Sequence, residues 1–365
     1  ASAPLGEFLS PGGHPQGALV LQWLAVVAVL VSQAACNHWG IRATTAVTDS
    51  SGWLILAVTA ALTVALLAFA PGIHLDRLVD VANFTGLPAG EPVWPRTENP
   101  AWAFALSLLL PAYTLTGFDA SAHVAEETVH AAREVPRAIL RAVAVSAVAG
   151  FVMLASLVMA IPDLREAAAQ GGNAFFWTLD RLLPPAPRYA LLLGIAAAQY
   201  ACGLATVTSA SRMVYAFARD GGLPWSGFLR RVSGAHRTPA AAIWSVAGLA
   251  ALFTATVPYL TITAVCAMLL YVSYLMPTLA GLLVRGGRWT RRGPWSLGAA
   301  WRPLALVCVL GGVGLCVIGV QPPNAVAGRI VPAFAALLGA WWFLFKRRHF
   351  PGPPRLHSLA HDAAP

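Results

Sequence analysis

Charge is scarce in this sequence. Of its 365 residues only 11% are Asp, Glu, Lys or Arg, while 58% are hydrophobic and the mean hydropathy is +0.66. Soluble domains carry about a quarter charged residues, so the scarcity excludes that class and puts the chain in a bilayer. Lysine is rarer still. All but one of the 24 basic residues are Arg, the exception being Lys346, which reads as a bias of the coding sequence rather than as a site. The net charge of +9 does not imply nucleic acid, because the arginines are scattered between apolar runs and build no basic domain. They suit the anionic surface of a lipid bilayer instead.

Paired cysteines are missing too. Cys36, Cys202, Cys266, Cys308 and Cys316 stand singly in apolar stretches, with no CxxC and no His at metal spacing, and read as small packing residues. There is no GxSxG, no HExxH, no Walker loop and no pair of carboxylates at membrane depth, so no catalytic residue, metal or cofactor is expected. A channel would need a filter-like repeat or a charged ring, and neither is visible. The first 16 residues hold neither Met nor a basic signal-peptide region, and the natural start is expected upstream.

What is present is a series of long apolar runs. Crossing about 30 Å of hydrocarbon at 1.5 Å per residue takes roughly 20 residues. Nine candidates meet that need, over about 17–36, 50–70, 101–118, 138–161, 188–209, 240–257, 260–284, 303–320 and 330–345. The expected fold is therefore an all-α polytopic membrane protein with about nine transmembrane helices. Its organisation is an exterior segment 1–16, a membrane domain 17–346 and a cytoplasmic, disordered tail 347–365. The proline-rich connection 71–100 reads as an irregular loop with a little extended structure.

Orientation follows from the rule that basic residues near helix ends stay cytoplasmic. Eighteen of the basic residues fall on one side and six on the other, which puts the loops at Arg133, Arg230 and Arg291 inside, 71–100 outside and the C-terminus in the cytoplasm.

One carboxylate lies at membrane depth. Asp119 sits in YTLTGFDASAH, residues 113–123. A charge there costs about 2.5 to 3.5 kcal/mol on the lenient insertion scale and should face protein or water. Gly117 is a poor helix former, and Thr114, Thr116 and Ser121 can bind freed backbone groups, so the stretch reads as an unwound segment. Broken helices of this kind offer N–H and C=O groups to a substrate's charged ends. The alternative places Asp119 at a cytoplasmic helix end beside His123 and Arg133.

Two further clusters follow. Glu126, Glu127, Arg133 and Arg137 form either an ion-pair latch on a cytoplasmic gate or ordinary solvated loop charge. Thr206, Thr208 and Ser209 supply either oxygen ligands to a small cation or hydroxyls bound to their own helix.

The string GFDASAHVAEET over 117–128, followed by REVPRAI over 133–139, resembles the sixth-helix signature of amino acid permeases in the amino acid, polyamine and organocation (APC) superfamily, nearest the GABA and choline permease branch. SRMVYAFARDGGLP over 211–224 resembles the same family's motif after helix eight, and weaker likeness covers 37–42 and 84–88. The resemblance implies a fold of twelve helices with two inverted five-helix repeats, in which helices one and six unwind to hold the substrate. On that plan the nine spans match helices four to twelve, so the chain is expected to be N-terminally truncated and to lack helices one to three. Carried over by position, the substrate face is Tyr113, Thr116, Gly117, Phe118, Asp119 and Ala120, with Tyr113 as a gating aromatic.

The implied activity is secondary active transport of an amino acid or small amine by alternating access at the plasma membrane, with neither cofactor nor oligomeric state specified. The alternatives are a truncated membrane protein that does not transport, or a carrier specific for organocations such as choline. Some proton-coupled relatives carry a Lys in helix five, where the span 50–70 has no titratable side chain, so the coupling ion stays open between H+ and Na+.

Overall fold

Inside a bilayer a backbone without water must bond to itself, so long apolar runs become helices. The computed structural model describes residues 15–39, 41–87, 96–125, 128–257, 259–284, 294–322, 324–348 and 350, and among these it contains helices and no strand. In chain order the helices are α1 (Pro15–Trp39), α2 (Ile41–Phe69), α3 (Pro100–Ser107), α4 (Leu109–Thr114), α5 (Ala120–His123), α6 (Ala131–Ala160) and α7 (Leu164–Ala169). There follow α8 (Ala174–Leu182), α9 (Pro185–Arg219), α10 (Ser226–Leu229), α11 (Ala240–Thr256), α12 (Tyr259–Val284), α13 (Trp301–Gly319) and α14 (Ala327–Trp341).

All nine apolar stretches are helical, and seven of them lie in helices long and apolar enough to cross a membrane. The other two are shorter: α11, and the pair α3 and α4, which is interrupted at Leu108. The expected tail 347–365 and segment 1–16 fall almost wholly outside the described residues, as does the loop around Arg291.

Helix ends depart from the hydropathy pattern for physical reasons. α6 begins at Ala131, seven residues before the apolar run, because the polar stretch AAREVPR also holds helical backbone. Pro136 therefore lies inside the helix and not in its first turn. At the other end of α6, Arg77 donates to the carbonyls of Val158 (3.3 Å), Ile161 and Pro162, and the His74 N–H donates to that of Met159 (3.2 Å). The last carbonyls of a helix have no intrahelical partner and attract a cation, so this loop arginine finishes the helix. Among its described residues, the connection 71–100 contributes one turn of 3-10 helix, Leu75–Leu78, and no strand.

The chain divides into two compact units. The first comprises Ala1–Gln22, Ser50–Tyr200 and Val257–Val331. Its core joins Leu62 and Leu66 of α2, Ala160 of α6, Leu179 and Leu182 of α8, Leu183 and Leu191. The short α8, overlooked in the hydropathy reading because nine residues cannot span, is amphipathic and places its leucines here. Asp163 starts α7 by accepting from the N–H groups of Arg165 and Glu166 at 2.8 and 2.9 Å. In the same unit α12 and α13 approach closely at Gly312, where an added Cβ would lie 2.6 Å from Leu275.

The second unit comprises Trp23–Asp49, Ala201–Thr256 and Pro332–Pro365. Its core is Ala34, Val207, Ile243 and Ala247, with Trp244 packed against it. Beside that core lies buried Asn37. Its amide Nδ2 donates to the carbonyls of Gln33 (3.0 Å) and Leu204 (3.3 Å), and its Oδ1 accepts from the Thr208 hydroxyl at 2.6 Å. Three bonds satisfy an amide that would be costly to bury alone.

Candidate functional site

The third apolar stretch does not run through as one helix. α4 ends at Thr114, residues 115–119 are turns, and α5 resumes at Ala120. Gly117 adopts φ +84, a left-handed conformation that costs an L-residue roughly 1–2 kcal/mol and glycine very little. An added Cβ at Gly117 would meet nothing within 4 Å, so its conformation, and not crowding, is what calls for glycine.

Breaking a helix frees backbone groups that must bond elsewhere. The Thr116 N–H turns back to the Tyr113 carbonyl at 3.1 Å, and its hydroxyl donates to the same oxygen at 2.7 Å. In an unbroken helix Gly117 would have used that carbonyl and Thr116 the carbonyl of Ala112. Both orphans are met from α12. The Tyr271 hydroxyl donates to Ala112 O at 3.0 Å, and the Gly117 N–H donates to the Tyr274 hydroxyl at 2.9 Å. Residues three apart share a helix face, which is why one helix supplies both stitches.

Tyr274 does more. Its hydroxyl donates to Asp119 Oδ1 at 2.9 Å, and its ring lies 4.5 Å from that of Phe118. The second carboxylate oxygen of Asp119 is 3.2 Å from His123 Nε2, one turn along α5, with the two side chains 21% and 23% exposed. An N–H and a carboxylate thus converge on one hydroxyl, and the Phe118 ring lies against the ring that carries it. These are the groups that could take the carboxylate, the ammonium and the body of a small amino acid.

Of the residues expected at the substrate face, Thr116, Gly117, Phe118 and Asp119 fall within the break. Ala120 opens α5, and Tyr113 sits in the last turn of α4 and is 43% exposed. Tyr271 and Tyr274 were not anticipated from sequence. Two tyrosines three apart, and so on one face of α12, are the signal that could have found them.

The other clusters are less concentrated. Glu126 and Glu127 lie outside the described residues. Arg133 is exposed on the first turn of α6, and Arg137 pairs with Glu134 at 3.1 Å on the surface of the same helix. In α9, Thr206 donates to the Cys202 carbonyl (2.9 Å), while Thr208 contacts the Leu204 carbonyl (2.9 Å) as well as Asn37. Ser209 follows on the same helix, and no group of three or more His, Cys, Asp or Glu that could hold a metal ion occurs among the described residues.

Seven helices long and apolar enough to cross a membrane, beside a shorter apolar stretch opened around a carboxylate, define an integral membrane protein. The amino acid permease family matches residues 8–343, and the chain belongs to that family. It is 31% identical over 280 residues to the amino-acid permease BAT1 of Arabidopsis thaliana, covering 69% of this chain and 53% of that protein. It is 28% identical over 275 residues to the GABA-specific permease of Saccharomyces cerevisiae, covering 70% and 48%. A putative polyamine transporter of Candida albicans is 27% identical over 288 residues, covering 71% and 51%. The chain spans about half the length of the curated relatives it matches.

Proposed function

We propose that this protein takes part in secondary active transport of a small amino acid or related amine by alternating access, with residues 115–119 forming one wall of the substrate site. The observation that carries this reading is the exposed N–H of Gly117 beside the Asp119 carboxylate in a helix that opens between Thr114 and Ala120. Substrate binding there turns on Tyr113, Thr116, Gly117, Phe118, Asp119 and Ala120. A gate at the cytoplasmic end uses Arg133 and Arg137 with Glu126 and Glu127. The relatives named as amino-acid, GABA and polyamine carriers support the substrate class. The coupling ion is H+ or Na+, the membrane is the plasma membrane, and the excess of arginine on one side supports a C-terminus inside.

Uptake of labelled alanine, GABA, arginine and choline into proteoliposomes, with imposed proton or sodium gradients, tests the reading. Saturable, gradient-driven uptake of at least one amino-bearing compound is expected. Uptake of none of the four, in vesicles where the protein is shown to be inserted, would overturn it.

A further inference from the structure

We propose that Tyr274 is a specificity-determining latch: its hydroxyl stands where a substrate's charged groups belong, and only a ligand carrying a carboxylate and an ammonium on the same carbon, an α-amino acid, displaces it. This rests on the reading of 115–119 as the substrate wall, and it goes further by naming both the displaced residue and the ligand chemistry.

The argument starts from what one hydroxyl does. It accepts from the Gly117 N–H at 2.9 Å and donates to Asp119 Oδ1 at 2.9 Å. The two protein groups left after it moves are a donor and an anionic acceptor, each formerly within hydrogen-bond reach of the same oxygen atom. A replacement has to present an acceptor to the N–H and a donor to the carboxylate across a gap that one oxygen filled. An α-amino acid does so, its carboxylate oxygen taking the N–H and its ammonium the Asp119 oxygen. A simple amine satisfies Asp119 and leaves the Gly117 N–H without the acceptor that Tyr274 supplied. A quaternary ammonium has no N–H to donate. An ω-amino acid such as GABA separates its charges by three methylenes, too far to meet both groups where they stand.

Tyr271 marks the contrast. Its hydroxyl bonds the uncharged carbonyl of Ala112 and, among the described residues, makes no hydrogen bond to a charged group, so it holds the break open without competing for ligand. The Tyr274 ring also contacts those of Phe118 at 4.5 Å and Tyr271 at 5.9 Å, apolar partners that do not depend on its hydroxyl.

The test is equilibrium binding of alanine, GABA, ethylamine and choline to the full protein in nanodiscs, for the native protein and Tyr274→Phe. The native protein should bind alanine at least tenfold more tightly than the other three. Loss of the hydroxyl removes the internal competitor, so alanine should bind Tyr274→Phe up to about tenfold more tightly, the scale of one hydrogen bond to a charged partner. Alanine affinity unchanged or weakened in Tyr274→Phe would overturn the latch, since a purely structural stitch or a direct substrate contact gives that result. If the variant does not yield folded protein, the native preference alone decides, and GABA or choline binding as well as alanine sinks the proposal while leaving the transport reading intact. Binding of none of the four to the native protein defeats both.

Discussion

Two threonine-rich stretches of this protein meet opposite fates. In the first, Thr114 and Thr116 flank a helix that opens, and in the second, Thr206 and Thr208 lie in α9, which continues from Pro185 to Arg219 without interruption. Three of the four hydroxyls behave alike, Thr116 bonding the Tyr113 carbonyl three residues back. Thr114, Thr206 and Thr208 all bond the carbonyl four residues back, at 3.0, 2.9 and 2.9 Å. Both stretches also contain glycine. Gly117 takes a left-handed φ, whereas Gly203 stays helical and lies against the Gln33 side chain. Hydroxyls therefore do not open a membrane helix; they bond whatever backbone is there. What differs is the partner across the way: two tyrosines that bond freed backbone groups in one place, and in the other an asparagine that joins two intact helices.

The largest effect expected separates the two regions by function. Asp119→Asn keeps the shape of the side chain and removes its charge, and under the transport reading it should lower uptake at least tenfold, about 1.4 kcal/mol, with insertion intact. Uptake in proteoliposomes at matched protein content measures it. Native rates in this variant would make Asp119 a structural partner of Tyr274 and His123 only.

In the second region the expected loss is of stability instead. Asn37 is 2% exposed and satisfies three groups on two helices. Asn37→Ala leaves the Thr208 hydroxyl its own helix carbonyl but opens a cavity beside Leu204, so thermal unfolding in detergent should show a loss of about 1–3 kcal/mol. A variant as stable as the native protein would mean that these bonds add nothing over packing.

Gly117→Ala sharpens the same contrast at smaller cost. With open space around the Cβ, only the left-handed φ is penalised, by roughly 1–2 kcal/mol, and the segment can relieve it by rewinding. Uptake should fall several-fold, more than Gly203→Ala would through its φ, since Gly203 is already helical. Equal activity of Gly117→Ala and the native protein would show that the break tolerates other backbone conformations.

How much of this was legible beforehand follows from the range of each interaction. Apolar runs report helices locally, so all nine stretches are helical, and glycine with neighbouring hydroxyls signalled the opening at 115–119. Their limits were less readable because polar helical turns, as at 131–137, carry no hydropathy signal. The short α8 was invisible for the opposite reason, being too brief to span while still burying Leu179 and Leu182. Tyr274 lies 157 residues from Gly117, and no local pattern links the two. The partner that completes the candidate site was therefore supplied only by tertiary packing.

The smallest expected effect concerns the hydroxyls of α9. Thr206 and Thr208 are two residues apart, about 200° around an α-helix, and so project from different faces. Each already donates to a carbonyl of its own helix, and α9 would have to open, as α4 does after Thr114, before both oxygens could turn to one cation. Nothing comparable to Gly117 occurs there, since Gly203 is helical and the hydrogen bond of Thr206 runs to Cys202 in the ordinary way. Thr206→Val removes the oxygen and keeps the shape of the side chain at an exposed bond. Stability should change by no more than about 0.5 kcal/mol and uptake by less than about twofold. The dependence of uptake on sodium and on pH, measured side by side for the variant and the native protein, should be the same. A selective loss of sodium dependence would show that α9 does open during transport, and would return its hydroxyls to the role of cation ligands.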